Sequence, residues 1–322
     1  MTAGRGPAAR PVRTVLLGSG AFAVPTLDVL AVAPEIELVG VVSAPDRPAG
    51  RHAEVTPVPV ARRARELGLP VIQPDRLRSP EAVAQVAALA PEFGVLADYG
   101  QIVPRSVLEL LAHGILNVHP SALPRHRGAS PIPATILAGD PVAAVTLIRM
   151  DEGLDTGPIV AREAWPLDGS ETAATLEVEA ARRGAALVRR SLTPWLLGHL
   201  EVTPQGASGA TLTRPLRRED GRLDPDHPAS RLQRQVRAYV PWPGSFVDTT
   251  IGRLIVHDAE AVAPEPDDRP GTLVADGDGL ALATIDGRLR FHRVQLAGRR
   301  ATDAASLRRG TPGLVGQPVG LR

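Results

Sequence analysis

The sequence predicts an α/β protein in two parts: a parallel sheet covered by helices on both faces, followed by a small β-barrel. Three observations support this. Short β-branched runs alternate with segments of helical period from residue 12 to about 200, the signature of a covered parallel sheet. Residues 203–222 then turn rich in Thr, Gly, Ser, Pro and Arg, as a linker does. Beyond them lie short strand-like runs separated by Gly and Asp turns, a barrel pattern. The expected boundaries are a disordered lead-in 1–11, an α/β domain 12–202, a linker 203–222 and a barrel domain 223–322.

Val12 to Gly18 is an apolar β-branched run broken by Gly18-Ser19-Gly20, and Phe22 to Leu30 has helical period. Ile36 to Ser43 reads as a second strand, Val58 to Leu67 as a helix and Pro70-Val71-Ile72 as a short strand. A helix over 79–89 leads to a strand from Gly94 to Ala97, a helix over 104–112 to a strand over 114–118, and Pro131 to Leu137 is helical. Val142 to Met150 and Pro158 to Trp165 are β runs around a Gly-flanked turn, expected as a hairpin added to the sheet. Ser170 or Thr172 can cap a long Ala-rich helix running towards Leu197. In the last part, Ala229 to Tyr239 is helical, with strands at 245–247, 252–258, 271–275, 280–284 and 288–296.

Composition narrows the chemistry. The chain has 322 residues, 43% hydrophobic and 22% charged, ordinary for a globular protein with a sizeable core. Cysteine is absent, which removes disulfides, thiolate catalysis and Cys-ligated metals. Lysine is absent too, so Schiff-base chemistry is excluded and Arg carries all the cationic side chains. No apolar run reaches the length of a membrane span, so no membrane partner is expected; a cytoplasmic location and a monomer are separate expectations. Net charge is only +1, although residues 214–237 hold seven Arg against four acids.

The most informative stretch is Asn117-Val118-His119-Pro120-Ser121-Ala122-Leu123-Pro124, with Asp151-Glu152-Gly153-Leu154-Asp155-Thr156-Gly157 downstream. Asn117 and His119 share one strand face, and Pro120 ends that strand at its carboxyl end, where open α/β sheets form ligand crevices. Asp155, between Gly153 and Gly157, belongs on a turn able to bring a carboxylate to the imidazole. Amide, imidazole and carboxylate together could hold a carbonyl and move a proton. Gly18-Ser19-Gly20 lacks the third Gly of a dinucleotide fingerprint, and no acid ends the second strand, so no nicotinamide is expected. No His spacing suggests a metal.

Residues Asn117 to Gly128 and the Asp151 to Gly157 turn together resemble the signature of the folate-dependent formyltransferases. Pro45 to Arg51, Arg218 to Asp224, Arg237 to Gly244 and Gln295 to Arg300 narrow the resemblance to the methionyl-tRNA formyltransferases, over roughly residues 12–320. The resemblance implies a Rossmann-like parallel-sheet formyltransferase domain and an OB-like β-barrel that binds tRNA. It implies 10-formyltetrahydrofolate as co-substrate and initiator methionyl-tRNA as partner, with no metal. Asn117 would stabilise an oxyanion, His119 would move the proton at a pKa near working pH, and Asp155 would orient His119 and favour its charged form. Ser121, Ala122, Leu123 and Pro124, with Tyr99 and Gly100, would line the folate pocket. Arg51 would meet the acceptor end of tRNA, and Arg214, Arg217, Arg237, Arg299 and Arg300 would meet phosphates. After Arg51 the loop reads His52-Ala53-Glu54 rather than Gly and two basic residues. A relative that formylates a sugar nucleotide or another small amine, and a binding module without catalysis, are the alternatives.

Overall fold

The computed structural model describes residues 10–49, 54–311 and 313–320. Its elements in order are β1 (Val12–Gly18), α1 (Val24–Ala31), β2 (Ile36–Val42), β3 (Arg47–Ala49), β4 (Glu54–Thr56), α2 (Pro59–Glu66), β5 (Val71–Ile72), α3 (Pro80–Ala88), β6 (Phe93–Ala97), α4 (Arg105–Leu108), β7 (Ile115–His119) and β8 (Arg127–Gly128). They continue with α5 (Pro131–Ala138), β9 (Val142–Arg149), β10 (Ile159–Pro166), α6 (Ala173–Leu196), β11 (Leu212–Thr213), α7 (Ala229–Ala238), β12 (Ser245–Thr249), β13 (Gly252–Val262), β14 (Leu273–Asp276), β15 (Gly279–Ala283), β16 (Arg288–Leu296), β17 (Thr302–Asp303) and α8 (Ala304–Gly310). Two compact units emerge. The first holds the described residues of Met1–Pro131, Val142–Trp165 and Glu177–Thr213, the second Ile132–Pro141, Pro166–Leu176 and the described residues of Arg214–Arg322.

The first unit is built on a seven-stranded sheet in the order β10-β9-β7-β6-β1-β2-β5. Strands β1, β2, β5, β6 and β7 run parallel, which is why each reads as a near-continuous apolar run. The β9–β10 segment expected as an added hairpin occupies the edge, with β9 antiparallel to β7. One face buries Val15, Leu17 and Leu96 against Val86 of α3 and Val107 of α4. On the other face, an added Cβ at Gly184 of α6 would lie 2.8 Å from Val118 of β7 and 3.4 Å from Val145 of β9. Ser79 caps α3, accepting from the Ala82 amide, and Thr172 rather than Ser170 caps α6, accepting from the Thr175 amide. Helix α4 has only four residues, so the segment expected as a helix over 104–112 is mostly turns.

The second unit contains an antiparallel sheet in the order β12-β13-β16-β15-β14, with β17 on β16, forming the half-barrel of the expected small barrel. Its core joins Leu254, Val256, Leu282, Leu289, Phe291 and Val294 to Leu232 and Val236 of α7 and Leu307 of α8. Arg288, almost wholly buried on β16, forms two 2.6 Å hydrogen bonds to the Asp268 carboxylate, fastening the loop before β14. Helix α8 was not expected from the pattern; Asp303 caps it through the Ser306 amide.

Gly184 is therefore a packing requirement of the strand that carries the site. Glycine within a helix costs roughly 0.5–1 kcal/mol relative to alanine, and here the close approach of α6 to Val118 offsets that loss. Replacing Gly184 by valine forces an overpacked contact, expected to cost about 1–3 kcal/mol. Calorimetry should show a lowered Tm; an unchanged or raised value would mean that α6 can lift off the sheet at no cost.

Candidate active site

Strand β7 sets the site. Leu96 of β6 pairs with Asn117, and Thr146 of β9 pairs with His119, so both functional side chains stand on a central strand between a parallel and an antiparallel neighbour. All three side chains of the expected trio converge. Asn117 Nδ2 donates to Asp155 Oδ1 at 3.0 Å, and His119 Nδ1 lies 3.5 Å from Asp155 Oδ2. The same Oδ2 accepts the Gly128 amide at 2.8 Å. Asp155 has φ +52°, a left-handed backbone rare outside glycine but tolerated best by Asn and Asp. The turn around it is tied by Asp151, whose Oδ1 accepts from the Gly153 amide and the Thr156 hydroxyl. At Gly157 a Cβ would stand 1.9 Å from the Arg149 carbonyl, so only glycine lets the turn return to β9.

His119 is 4% exposed, and its Nε2 lies 2.9 Å from the His126 carbonyl. That carbonyl can only accept, so Nε2 carries a hydrogen and donates. The remaining lone pair of neutral His119 is then on Nδ1, beside the carboxylate. Burial holds the imidazole below its usual range near 6.5, and the opposing pulls of Asp155 and the His126 carbonyl do not restore it. Asp155 favours the charged form as expected, but the expected pKa near working pH is corrected, because burial outweighs it. Desolvation prevails, and the resting imidazole is a neutral base at pH 7.

The expected folate-contacting residues divide. The Ser121–Pro124 loop leaves the strand through a Ser121 amide bond to the His119 carbonyl, and Thr146 Oγ1 donates to the Ser121 carbonyl at 2.7 Å. Ser121 spends its own hydroxyl on the Arg125 carbonyl, and Leu123 is fully buried, with its carbonyl held by Arg162. Ala122 and Pro124 remain partly exposed. The Tyr99 ring belongs to the apolar cluster with Val15, Leu17 and Leu77, and burial pushes its phenol up to about 12, so its side chain is a core piece. Gly100 is exposed. Two residues not anticipated from the pattern, Ile102 (87% exposed) and Leu154 (60%), present large apolar side chains at the surface, Leu154 directly before Asp155 in its turn. A large apolar side chain left in water near a polar site is the signal that could have found them.

At the first glycine turn a Cβ at Gly20 would fall 1.7 Å from the Asp98 carboxyl group, whose pKa burial raises.

Of the expected tRNA contacts, Arg51 lies outside the described residues. Arg214 is ion-paired to Asp220, with Nη1–Oδ2 at 2.7 Å. Arg237 is half-buried, donates to the Glu171 carbonyl at 2.7 Å and is shifted down by burial. It lines a hollow of about 500 Å³ within the second unit together with Arg234, Asp168 and Glu260, and ties α7 to the segment before α6. Arg217, Arg299 and Arg300 are exposed, with no ion pair among the described residues.

Residues 12–191 match the family described as Formyl transferase, and residues 215–312 match Formyl transferase, C-terminal domain. The methionyl-tRNA formyltransferase of Halorhodospira halophila is 45% identical over 308 residues, covering 95% of this chain and 99% of that protein. That of Rhizorhabdus wittichii is 44% identical over 299 residues, covering 93% and 95%. The solved structure of WlaRD, a sugar 3N-formyl transferase in the presence of dTDP and 5-N-formyl-THF, superposes with TM-score 0.64 at 15% identity, covering 91% of this chain and 100% of that one. At that identity the likeness is one of fold.

Gly128 joins the site's backbone to its carboxylate. Its φ is +99°, and a Cβ there would stand 2.3 Å from the Thr213 carbonyl. Gly128→Ala is expected to part β8 from β11 and to loosen the amide bond to Asp155, at a cost above the roughly 1–2 kcal/mol of the left-handed backbone alone. Hydrogen exchange at the Gly128 amide should quicken. Wild-type protection in the variant would contradict the role of this amide.

Proposed function

The chain belongs to the methionyl-tRNA formyltransferase family, and from that membership we propose that it transfers the formyl group of 10-formyltetrahydrofolate to the α-amine of initiator methionyl-tRNA. The product is N-formylmethionyl-tRNA for translation initiation. The observation that carries the mechanistic reading is the single Asp155 carboxylate shared by Asn117, His119 and the Gly128 amide.

The folate is a co-substrate that supplies the formyl carbon. In the reaction the amine nitrogen bonds to that carbon, the carbon–N10 bond breaks, and one proton passes from the amine side to N10. Asn117 spends one Nδ2 hydrogen on Asp155 and keeps the other for the oxygen on which negative charge develops. One such donor is worth roughly 2.7–4 kcal/mol. His119 takes the amine's proton at Nδ1, the ring nitrogen with the available lone pair, and returns it to N10. Asp155 Oδ2, 3.5 Å away, stabilises the imidazolium while it lasts. A ground-state neutral imidazole that becomes charged only in transit suits a base, since its proton is not already in place.

The apolar side chains of Ile102 and Leu154 and the partly exposed Ala122 and Pro124 suit the aromatic portion of a folate. On the tRNA side, the exposed Arg217, Arg299 and Arg300 are the phosphate contacts retained, with Arg51 as the acceptor-end contact. Arg suits that work through its planar, multi-donor head.

Formyl transfer to methionyl initiator tRNA, measured beside charged elongator tRNA, tests the reading. Initiator formylation is expected, with His119→Ala abolishing transfer while folate binding persists; near-normal turnover by that variant would sink the mechanism. Asn117→Ala should cost about 10²–10³ in kcat. Transfer to a sugar-linked amine but not to the tRNA would favour the small-amine alternative.

The pH dependence has a fixed sign. His119 works as the neutral base, so kcat/KM, once corrected for the separately measured ionisation of the substrate's α-amine, must fall as pH falls through its pKa, which burial holds below the usual imidazole range. The acid limb should therefore lie below pH 6.5, with a plateau across neutrality. A limb centred above that value would contradict a buried neutral histidine.

A further inference from the structure

We infer that Gln205 is a positioning residue for the transfer, holding the Asp155 turn from behind as part of a strap formed by residues 203–213. The inference rests on the roles given above to Asp155 and His119.

Gln205 has four hydrogen-bonding opportunities and uses them all on the site's supports. Its Nε2 donates to the carbonyl of Asp155 itself at 2.8 Å and to that of Gly157 at 2.7 Å. Its Oε1 accepts from Arg127 Nε at 3.1 Å and Nη2 at 2.8 Å. Two carbonyls on one side and a guanidinium on the other leave a single orientation for the carboxamide. One side chain thus ties the turn carrying Asp155 to the strand carrying Gly128, whose amide binds the Asp155 carboxylate.

The rest of the strap repeats the arrangement. Thr203 exchanges two 2.8 Å backbone bonds with Ile159 at the start of β10. Thr211 Oγ1 accepts the amide of His126, the residue whose carbonyl receives His119 Nε2. Thr213 Oγ1 accepts the Ser130 amide and donates to the Arg127 carbonyl. Thr211, just before β11, therefore fixes the acceptor on one side of the imidazole, and Gln205 fixes the carboxylate on the other. Asp155 sits in a left-handed backbone that an unsupported turn would readily leave. Gln205 touches neither reacting atoms nor the imidazole, so it acts through Asp155.

The test uses the full-length enzyme with 10-formyltetrahydrofolate and methionyl initiator tRNA. The variant is Gln205→Met, which keeps the length of the side chain without its hydrogen bonds. Gln205→Glu, which keeps an acceptor for Arg127 but sets oxygen against both carbonyls, is the second variant should the first fold poorly. Each is expected to lose kcat by between about tenfold and a hundredfold, the scale of a misplaced catalytic group. Both KM values should change less than about twofold, and the acid limb should move to lower pH, because an imidazole losing its carboxylate partner is harder to protonate. Combined with Asp155→Asn, Gln205→Met should add no further loss, as expected when one residue acts through another. If Asp155→Asn destroys transfer while both Gln205 variants keep wild-type kcat and acid limb, the positioning role is wrong and the trio stands. A fall in kcat with an unmoved limb and additive losses would likewise overturn it, reducing Gln205 to a structural contact. Near-normal transfer by Asp155→Asn would remove the reading on which the inference rests.

Discussion

One carboxylate organises the site. Asp155 receives the Asn117 amide on Oδ1 and the Gly128 backbone amide on Oδ2, and stands against the only uncommitted nitrogen of His119. Both hydrogen bonds it accepts in the site come from neutral donors. That matters for the chemistry. A permanent cation beside Asp155 would neutralise the field that stabilises a transient imidazolium and would further hinder protonation of His119. The carboxylate thus remains available for a charge that exists only during transfer.

The sheet makes this economical. Placing Asn117 and His119 two residues apart on β7 puts both on one face, and the following Pro120 and the Ser121 amide bond to the His119 carbonyl turn the chain away at once. The antiparallel β9 beside β7 matters as well, since it leads directly into the turn carrying Asp155. That strand ends at Arg149, opposite Leu116, so the turn has to run back along β7 to bring Asp155 to Asn117 and His119. Here a short turn suffices, and Gly157 allows it to close against the Arg149 carbonyl.

The strands, most helices and the trio were legible because each leaves a side-chain signature. Parallel strands such as Phe93–Ala97 are continuous apolar runs, and Asn117, His119 and Asp155 are polar residues at a strand end and on a glycine turn. What escaped was carried by backbone or by length. The His126 carbonyl and Gly128 amide have no side-chain identity to read, and β8 and β11, at two residues each, are too short to show a period. The polar composition of 203–222 suggested a linker, yet Gln205, Thr211 and Thr213 are polar because they bond to backbone. Tyr99 is different: it lies just beyond β6, past Asp98 with its φ of +48°, and its ring joins the apolar cluster while its neighbour Gly100 is exposed.

The same distinction applies to arginine in a chain without lysine. Composition alone makes every Arg a candidate for phosphate, yet a guanidinium can bind a carbonyl or carboxylate of its own protein equally well. Arg214 and Arg237 do so, through Asp220 and the Glu171 carbonyl, and Arg288 is spent on Asp268. Recruiting any of these to an RNA would first break a charge-assisted bond, and for Arg237 or Arg288 would also uncover buried contacts. Arg217, Arg299 and Arg300 carry no such cost. With a net charge of only +1, the chain has little long-range attraction for a polyanion, so under the proposed function tRNA affinity would rest on arginines free at the surface rather than on a diffuse field.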